Sequence, residues 1–163
     1  MTKKIILFIL ITLSLIACSS NNNVFFYQKI NFPNHTWHYD SLAAFTVPIS
    51  DTSTYYNIAY EITHDAEYPY ANLWIKEIVK FPCGRIKIDT INIWFIDTKK
   101  RWIGRGINNI WTINTLVWDS IKFPKPGNYT FYFQHIMRKN NIGHLISFAL
   151  VINKLPKTKN SNK

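Results

Sequence analysis

The stretch that decides the fold is NLWIKEIVKFPCGRIKID, residues 72–89. Its first half alternates between apolar and polar side chains, and a short turn-like segment separates it from a second alternating run that ends at Asp89. Alternation with a period of two on both sides of a Pro- and Gly-containing turn predicts two antiparallel strands joined as a β-hairpin. The apolar face is Leu73, Ile75, Val79 and Phe81, the opposite face carries Lys76 and Lys80, and the turn is Pro82-Cys83-Gly84.

The same alternation recurs in residues 55–62, 129–134 and 146–152, whereas no helical period extends over eleven or more residues. The chain therefore predicts an all-β fold, an antiparallel β-sandwich of jelly-roll or immunoglobulin-like type with seven or eight strands. The residues expected in its core are Tyr56, Ile58, Ile62, Leu73, Ile75, Val79, Phe131, Phe133, Phe148 and Leu150.

Two segments depart from this regular pattern. After Asp89 the apolar phase moves by one residue, to Ile91, Ile93 and Phe95, which predicts a β-bulge or the start of a new strand. Residues 97–114 show neither period, and we expect a long structured loop there.

The N-terminus, MTKKIILFILITLSLIACSSNNN, has the layout of an export signal. Two lysines precede an apolar run, residues 5–16, that is shorter than the roughly 20 residues a membrane-spanning helix needs. Leu15-Ile16-Ala17 then leads into Cys18, an order that resembles the bacterial lipobox, in which the cysteine thiol takes a diacylglycerol and becomes the first residue of the mature chain. The alternative is a buried anchor helix with an incidental cysteine.

The lipobox interpretation divides the chain into four parts. Residues 1–17 are a lipoprotein signal peptide, 18–23 a lipidated N-terminus with a polar tether, 24–154 the β-sandwich, and 155–163 a polar tail. Acyl chains on Cys18 would hold the protein on a membrane without spanning it.

The formal net charge of +10 falls by two when Lys3 and Lys4 leave with the signal. A basic chain can bind nucleic acid, but export separates this one from the nucleic acid of the cell, and we expect no nucleic-acid partner. The excess of lysine, 15 against 4 arginines, is explained either by A/T-rich codon usage or by contact with anionic lipid or glycan. With Cys18 acylated, Cys83 has no disulfide partner within the chain and is predicted to be a free thiol.

The sequence lacks the G-x-S-x-G, P-loop, H-E-x-x-H and paired C-x-x-C motifs. His35 and His38 are close enough in sequence to share a metal ion, but no cysteine lies near them. We therefore expect a protein that is not an enzyme, without a metal and with no cofactor other than the covalent lipid on Cys18.

Two aromatic clusters are candidate contacts for a protein partner or a glycan. The first comprises Tyr68, Tyr70 and Trp74, and the second comprises Trp102 and Trp111. Aromatic rings at the edge of a sandwich can stack on the apolar faces of sugars. Alternatively, these rings cover the core beneath the long loop, with Gly104 and Gly106 providing turns that a side chain would forbid.

Taken in order, these stretches resemble the gliding motility lipoprotein GldH family of the Bacteroidetes. The resemblance extends from the lipobox nearly to Lys154, and its most distinctive piece is the YPYANL of residues 68–73. The other matching pieces are residues 32–34 with Trp37, Asp51-Thr52, Tyr56-Asn57, Phe81-Pro82-x-Gly84, Asp89-Thr90, Asp97, Trp102-Ile103-Gly104-Arg105-Gly106, Phe123-Pro124-x-Pro126-Gly127-x-Tyr129 and Met137-Arg138. Two residues and one segment differ from the family pattern, namely Cys83, His144 in place of a glycine, and residues 98–101, which lack the usual glycine.

The resemblance implies a non-catalytic lipoprotein required for gliding in cells that also use the associated type IX secretion machinery, with Cys18 as the lipid attachment site. Its partners would be the membrane and other envelope proteins of that machinery. No carboxylate follows Cys18 before Asp40, so neither an acidic surface-export signal nor an aspartate retention signal is present. We therefore expect the outer membrane, with the sandwich facing the periplasm. The alternative function is a lipid-anchored glycan-binding module of the envelope.

Overall fold

The computed structural model describes residues 23–156, which form eleven β-strands, one 3₁₀ turn at Pro33–His35 and no α-helix. Eight strands have seven or more residues, so the predicted antiparallel sandwich is confirmed, and three short strands add to it. The strands are β1 (Val24–Asn31), β2 (Trp37–His38), β3 (Ala43–Ile49), β4 (Tyr56–Asp65), β5 (Asn72–Lys80), β6 (Ile86–Trp94), β7 (Arg105–Ile107), β8 (Ile110–Ile121), β9 (Gly127–His135), β10 (Asn141–Ile142) and β11 (Leu145–Lys154).

The strands form two antiparallel sheets that pack face to face. One sheet has the order β1-β11-β4-β8-β7 and the other has the order β3-β9-β5-β6, while β2 and β10 pair separately. Aromatic rings join the facing surfaces: the Phe133 ring lies 5.0 Å from Tyr60 and 4.7 Å from Phe148, centroid to centroid. The core is therefore the layer between the two sheets.

All ten residues expected in the core are buried, at 8% exposure or less. They come from both sheets, because every second side chain of a strand points to the same face. Local alternation was therefore sufficient to find these inward-facing residues.

The hairpin predicted in residues 72–89 is confirmed as β5 and β6. The turn is closed by hydrogen bonds from the Phe81 N–H to the Arg85 carbonyl and from the Gly84 N–H to the Phe81 carbonyl. Gly84 has φ of +84°, a backbone conformation that glycine adopts without a steric penalty.

The slip predicted after Asp89 is wrong. The pairing of β5 with β6 runs without a break from Lys80 opposite Ile86 to Asn72 opposite Trp94. Ile86 and Ile88 consequently lie on the outer face, at 58% and 61% exposure, and the charged residues between and after them lie on the inward side. The apolar residues did not mark the buried face here, because β6 is an edge strand whose inward side opens partly to solvent.

The loop predicted over residues 97–114 is only partly correct. Residues 97–101 form a turn, but β7 and the start of β8 form a hairpin. Asn108 and Asn109 make its two-residue turn with φ of +48° and +64°, as in a type I′ turn. The three-residue β7 is too short for alternation to be visible in the sequence.

Strand β8 bends through two β-bulges where it pairs with β4. Tyr56 lies opposite Ile121 and Ile58 opposite Trp118, whereas Ala59 lies opposite Leu116, so one extra residue of β8 is inserted at each step. Each insertion reverses the direction of the following side chains. The bulges therefore turn Trp118 toward the space between the sheets.

The predicted signal peptide, Cys18 and nearly all of the tether lie outside the described residues, as does most of the polar tail. Among residues 23–156, no helix is both long enough and apolar enough to cross a membrane.

Candidate functional site

Two of the candidate aromatic residues, Tyr68 and Trp102, surround the buried His64 at one end of the sandwich. The Trp102 and Phe95 rings lie 4.6 Å and 4.8 Å from the His64 ring, centroid to centroid, and Phe95 stacks on it. Tyr68 is only 3% exposed, and its hydroxyl donates a hydrogen bond to the Asn72 carbonyl at 3.0 Å. Burial lowers the pKa of His64, which favours a neutral imidazole among these rings.

Tyr70 and Trp111 are half-buried beside this group. The Tyr70 ring packs edge-on against Tyr68 at 5.7 Å. Trp111 lies opposite Gly106 in the β7–β8 hairpin, and a Cβ atom on Gly106 would come within 2.9 Å of the indole ring. Gly106 therefore permits a close approach of backbone and ring.

The fifth candidate, Trp74, lies elsewhere, on the outer face of the four-stranded sheet, and is 41% exposed. It shares this face with Trp94, which is 56% exposed. Between them the Asn72 amide donates a hydrogen bond to the Asn92 amide oxygen at 2.7 Å. The sequence analysis did not name Trp94 as a candidate. Trp94 is separated from the exposed Ile86 and Ile88 by an even number of positions, and it therefore lies on the same outer face of β6.

These indoles belong to a larger apolar surface, here called the outer-face patch. Its members project from β5, β6 and β9, away from the core, and four of them are more than 40% exposed. The charged residues on the outer face of this sheet are two lysines, Lys76 and Lys80. Large exposed apolar patches on soluble domains mark interaction sites. The outer-face patch is Trp74, Ile78, Ile86, Ile88, Trp94 and Tyr132.

A second feature is a buried carboxyl group between the sheets. Glu77 is 1% exposed and belongs to the inward face of β5. Tyr60 donates a hydroxyl hydrogen bond to one of its oxygens at 2.5 Å, and the Trp118 indole N–H donates to the other at 3.2 Å. Burial raises the pKa of Glu77, and these two hydrogen bonds oppose the rise. Glu77 is separated from Leu73 and Val79 by an even number of positions, so in a strand it points to the same face as they do. This spacing is the one sequence signal that could have shown that Glu77 faces inward.

The histidines considered for a metal site have other contacts. His38 Nδ1 lies 2.7 Å from the Asn141 side-chain oxygen, and His35 is exposed in the 3₁₀ turn. Within residues 23–156, no group of three or more potential ligands is arranged to hold a metal ion. Cys83 is an exposed free thiol in the β5–β6 turn.

Comparison with known proteins identifies relatives for most of the sandwich. A family model described as GldH lipoprotein matches residues 24–151. A gliding motility lipoprotein GldH homolog of Christiangramia forsetii is 30% identical over 106 residues, which are 65% of this chain and 65% of that protein. The gliding motility lipoprotein GldH of Flavobacterium johnsoniae is 25% identical over 104 residues, 64% of each chain.

The matched region thus spans about 65% of the length of these relatives. A solved structure of infectious bursal disease virus, Gx strain, superposes with a TM-score of 0.33 at 10% identity, over 84% of this chain and 34% of the viral chain, a similarity too low to indicate a shared fold. The family model, by contrast, extends from the first residue of β1 into β11. The chain belongs to the GldH lipoprotein family.

Proposed function

We propose that the protein is a lipid-anchored, non-catalytic component of the gliding motility machinery and of the type IX secretion machinery associated with it. The observation that carries the proposal is the match of the GldH family model to residues 24–151, which contain nearly the whole sandwich. Both relatives described above are named as gliding motility lipoproteins or their homologs.

The outer-face patch is the surface proposed to bind a partner protein. Aromatic residues are enriched in protein interfaces, and this face combines exposed indoles with isoleucines. Lys76 and Lys80 are its charged groups, so the complementary surface would be apolar with carboxylates placed to meet them. We assign this surface to another envelope protein of the same machinery.

Cys18 is proposed to anchor the sandwich in the inner leaflet of the outer membrane. The support is the lipobox-like order of residues 15–18, followed by the uncharged residues 19–23. Two or more acyl chains on one cysteine would give stable membrane attachment.

The anchor is tested with the Cys18→Ala variant in cells. Because the thiol is the acylation site, the variant should lose radioactive fatty-acid label, keep its signal sequence and fail to restore gliding to a deletion strain. The Cys83→Ala variant is the matched control and should keep both label and gliding.

Protease added to intact cells should spare the wild-type protein and digest it only after the outer membrane is permeabilised. Unchanged label on the Cys18→Ala protein would contradict the anchor, and digestion in intact cells would contradict the periplasmic location.

The partner surface is tested with Ile88→Glu, which places a charge on an isoleucine of the patch that is 61% exposed. Thr46→Glu, on the outer face of β3, is the control. Ile88→Glu should abolish gliding and remove a defined crosslinked species seen in whole cells, while Thr46→Glu keeps both. Equal behaviour of the two variants would show that the patch is not the partner surface.

The arrangement of Trp74 and Trp94 around the Asn72–Asn92 pair supports a second candidate, a glycan-binding module. Indole faces stack on sugars, and the amides can hydrogen-bond hydroxyl groups. If the glycan function holds, Trp94→Ala should abolish retention of the protein on purified envelope glycan and Ile88→Glu should not. The opposite outcome would favour the protein partner.

A further inference from the structure

The β8 bulges and the β5–β6 hairpin enclose a pocket that opens at the edge of the sandwich, with a volume of about 350 Å³. It is lined by aliphatic and aromatic side chains from both sheets and by the buried Glu77. The volume is near the lower end of the range for small-molecule sites, roughly 300–1,000 Å³. The apolar lining residues are Ile58, Val79, Phe81, Ile121, Phe123 and Phe131.

Three cations also line the pocket. The Arg85 guanidinium lies 4.1 Å from the centroid of the Phe81 ring, and Lys87 Nζ lies 4.1 Å from that of Trp118. Lys122 Nζ lies 4.4 Å from the Tyr55 ring. Each cation contacts the face of an aromatic ring and forms no hydrogen bond with that ring. The N–H groups of the three cations can therefore still bind an anion.

The acids near this pocket do not cancel its positive charge. Asp89 forms an ion pair with Lys87 at 2.8 Å, which leaves Arg85 and Lys122 to act on a ligand. Glu77 accepts one hydrogen bond at each oxygen from Tyr60 and Trp118, so the protein itself satisfies both oxygens. The carboxyl thus fixes the Trp118 wall of the pocket and needs no ligand of its own.

We propose that this pocket binds a single-chain amphipathic anion, with the alkyl chain between the sheets and the anionic head between Arg85 and Lys122. The apolar body accounts for the chain, and the cations account for the sign of the head. A free fatty acid and a single-chain phospholipid share this chemistry. The site is separate from the outer-face patch, which lies on the opposite side of the four-stranded sheet.

The experiment uses the full lipidated chain in phosphatidylethanolamine vesicles and a photoactivatable dodecanoic acid. Crosslinks should be saturable and, after digestion and mass spectrometry, should fall on pocket-lining residues such as Val79, Phe81, Trp118 and Phe123. They should not fall on Ile78 or Ile86, which are on the outer face of the same hairpin. Unlabelled dodecanoate should compete at least tenfold better than dodecanol, since only the former carries the charge. If lysophosphatidylglycerol competes more strongly than dodecanoate, the ligand is the single-chain phospholipid. If it competes more weakly, the ligand is the free fatty acid.

Two lysines, the exposed Lys122 and the half-exposed Lys76, give a matched pair of variants. Lys122→Glu should weaken labelling by about tenfold, whereas Lys76→Glu, on the outer face, should leave it unchanged. Both side chains are at the surface, so both variants should fold, which thermal melting confirms. Labelling that does not saturate, that falls mainly on the outer-face patch, or that dodecanol competes as well as dodecanoate would overturn the proposal.

Discussion

Glu77 shows what a single residue contributes to this fold. It is a carboxyl group in the layer between two sheets, and it fixes one tyrosine and one tryptophan by accepting their hydrogen bonds. Burial raises its pKa, so the folded protein binds a proton at this site more tightly than the unfolded chain does. The stabilising effect of that proton is fully present below the unfolded-state pKa of about 4.3 and is lost as the pH rises through the folded-state pKa.

The first prediction follows from this sign. Glu77→Gln removes the ionisable group but keeps an oxygen for Trp118 and an amide for Tyr60, so its stability relative to the wild type should increase from pH 4.5 to pH 7.5. The measurement is urea unfolding at both pH values, with the exposed Glu67→Gln as control for the loss of one charge. A stability difference for Glu77→Gln that does not change with pH would contradict the prediction.

Two positions that differ from the family pattern adopt the left-handed backbone that favours glycine. His144 has φ of +65° and Lys100 has φ of +60°. His144 gains a partner in return, since its Nδ1 lies 2.9 Å from a carboxylate oxygen of Asp65. Lys100 lies in the turn that Asp97 closes by accepting hydrogen bonds from the backbone N–H groups of Lys99 and Arg101. The chain thus keeps the turn geometry without the glycine.

At the scale of elements, the β7–β8 hairpin depends on the backbone of Gly104. This glycine has φ of +96°, and a Cβ atom there would lie 2.2 Å from the carbonyl oxygen of Thr112, in the partner strand. A carbonyl in a paired strand cannot move aside as a flexible side chain can. The hairpin is therefore more sensitive to this position than to the side chains of β7, which are exposed.

Gly104→Ala should consequently destabilise the protein by about 1–3 kcal/mol, through backbone strain and displaced pairing. Gly143→Ala is the control, because nothing lies within 4 Å of its Cβ position, and it should be neutral or stabilising by up to about 1 kcal/mol. Urea unfolding of the two variants measures the difference, and hydrogen exchange should show faster exchange in β7 for the first variant alone. Equal stabilities would refute the role assigned to Gly104.

At the scale of the whole molecule, the two sheets are held together by aromatic packing across the core. Phe131 is 2% exposed, and its ring stacks at 6.5 Å on that of its strand neighbour Phe133, which in turn contacts Tyr60 and Phe148 of the other sheet. Truncating it to alanine removes a large side chain from a layer that both sheets share. The loss therefore affects the stability of the whole sandwich and not that of one strand.

Phe131→Ala should lower the free energy of unfolding by about 3–5 kcal/mol. Thr130→Ala, the next residue along β9 and on the outer face, should change it by less than about 0.5 kcal/mol. Urea unfolding provides both values, and far-ultraviolet circular dichroism of the wild type should show a β-sheet spectrum. A helix-dominated spectrum, or equal stability of the two variants, would contradict this account of the core.

The sequence alone determined the strand character of the chain, the hairpin at residues 72–89 and ten residues of the core. Alternation is a local signal, because the direction of a side chain depends only on its parity within the strand. The GldH resemblance also followed from ordered short motifs in the sequence.

Only the tertiary structure decided which strands became neighbours, and with them the sites. The continuous register of β6 places Lys87 at the pocket, and the bulges of β8 bring Trp118 to Glu77, which is 41 residues away in sequence. The outer-face patch and the position of Trp94 in it depend on pairing between β5, β6 and β9. These features arise from contacts between segments that are distant in sequence. A local pattern of apolar and polar residues does not show which distant segments will pair.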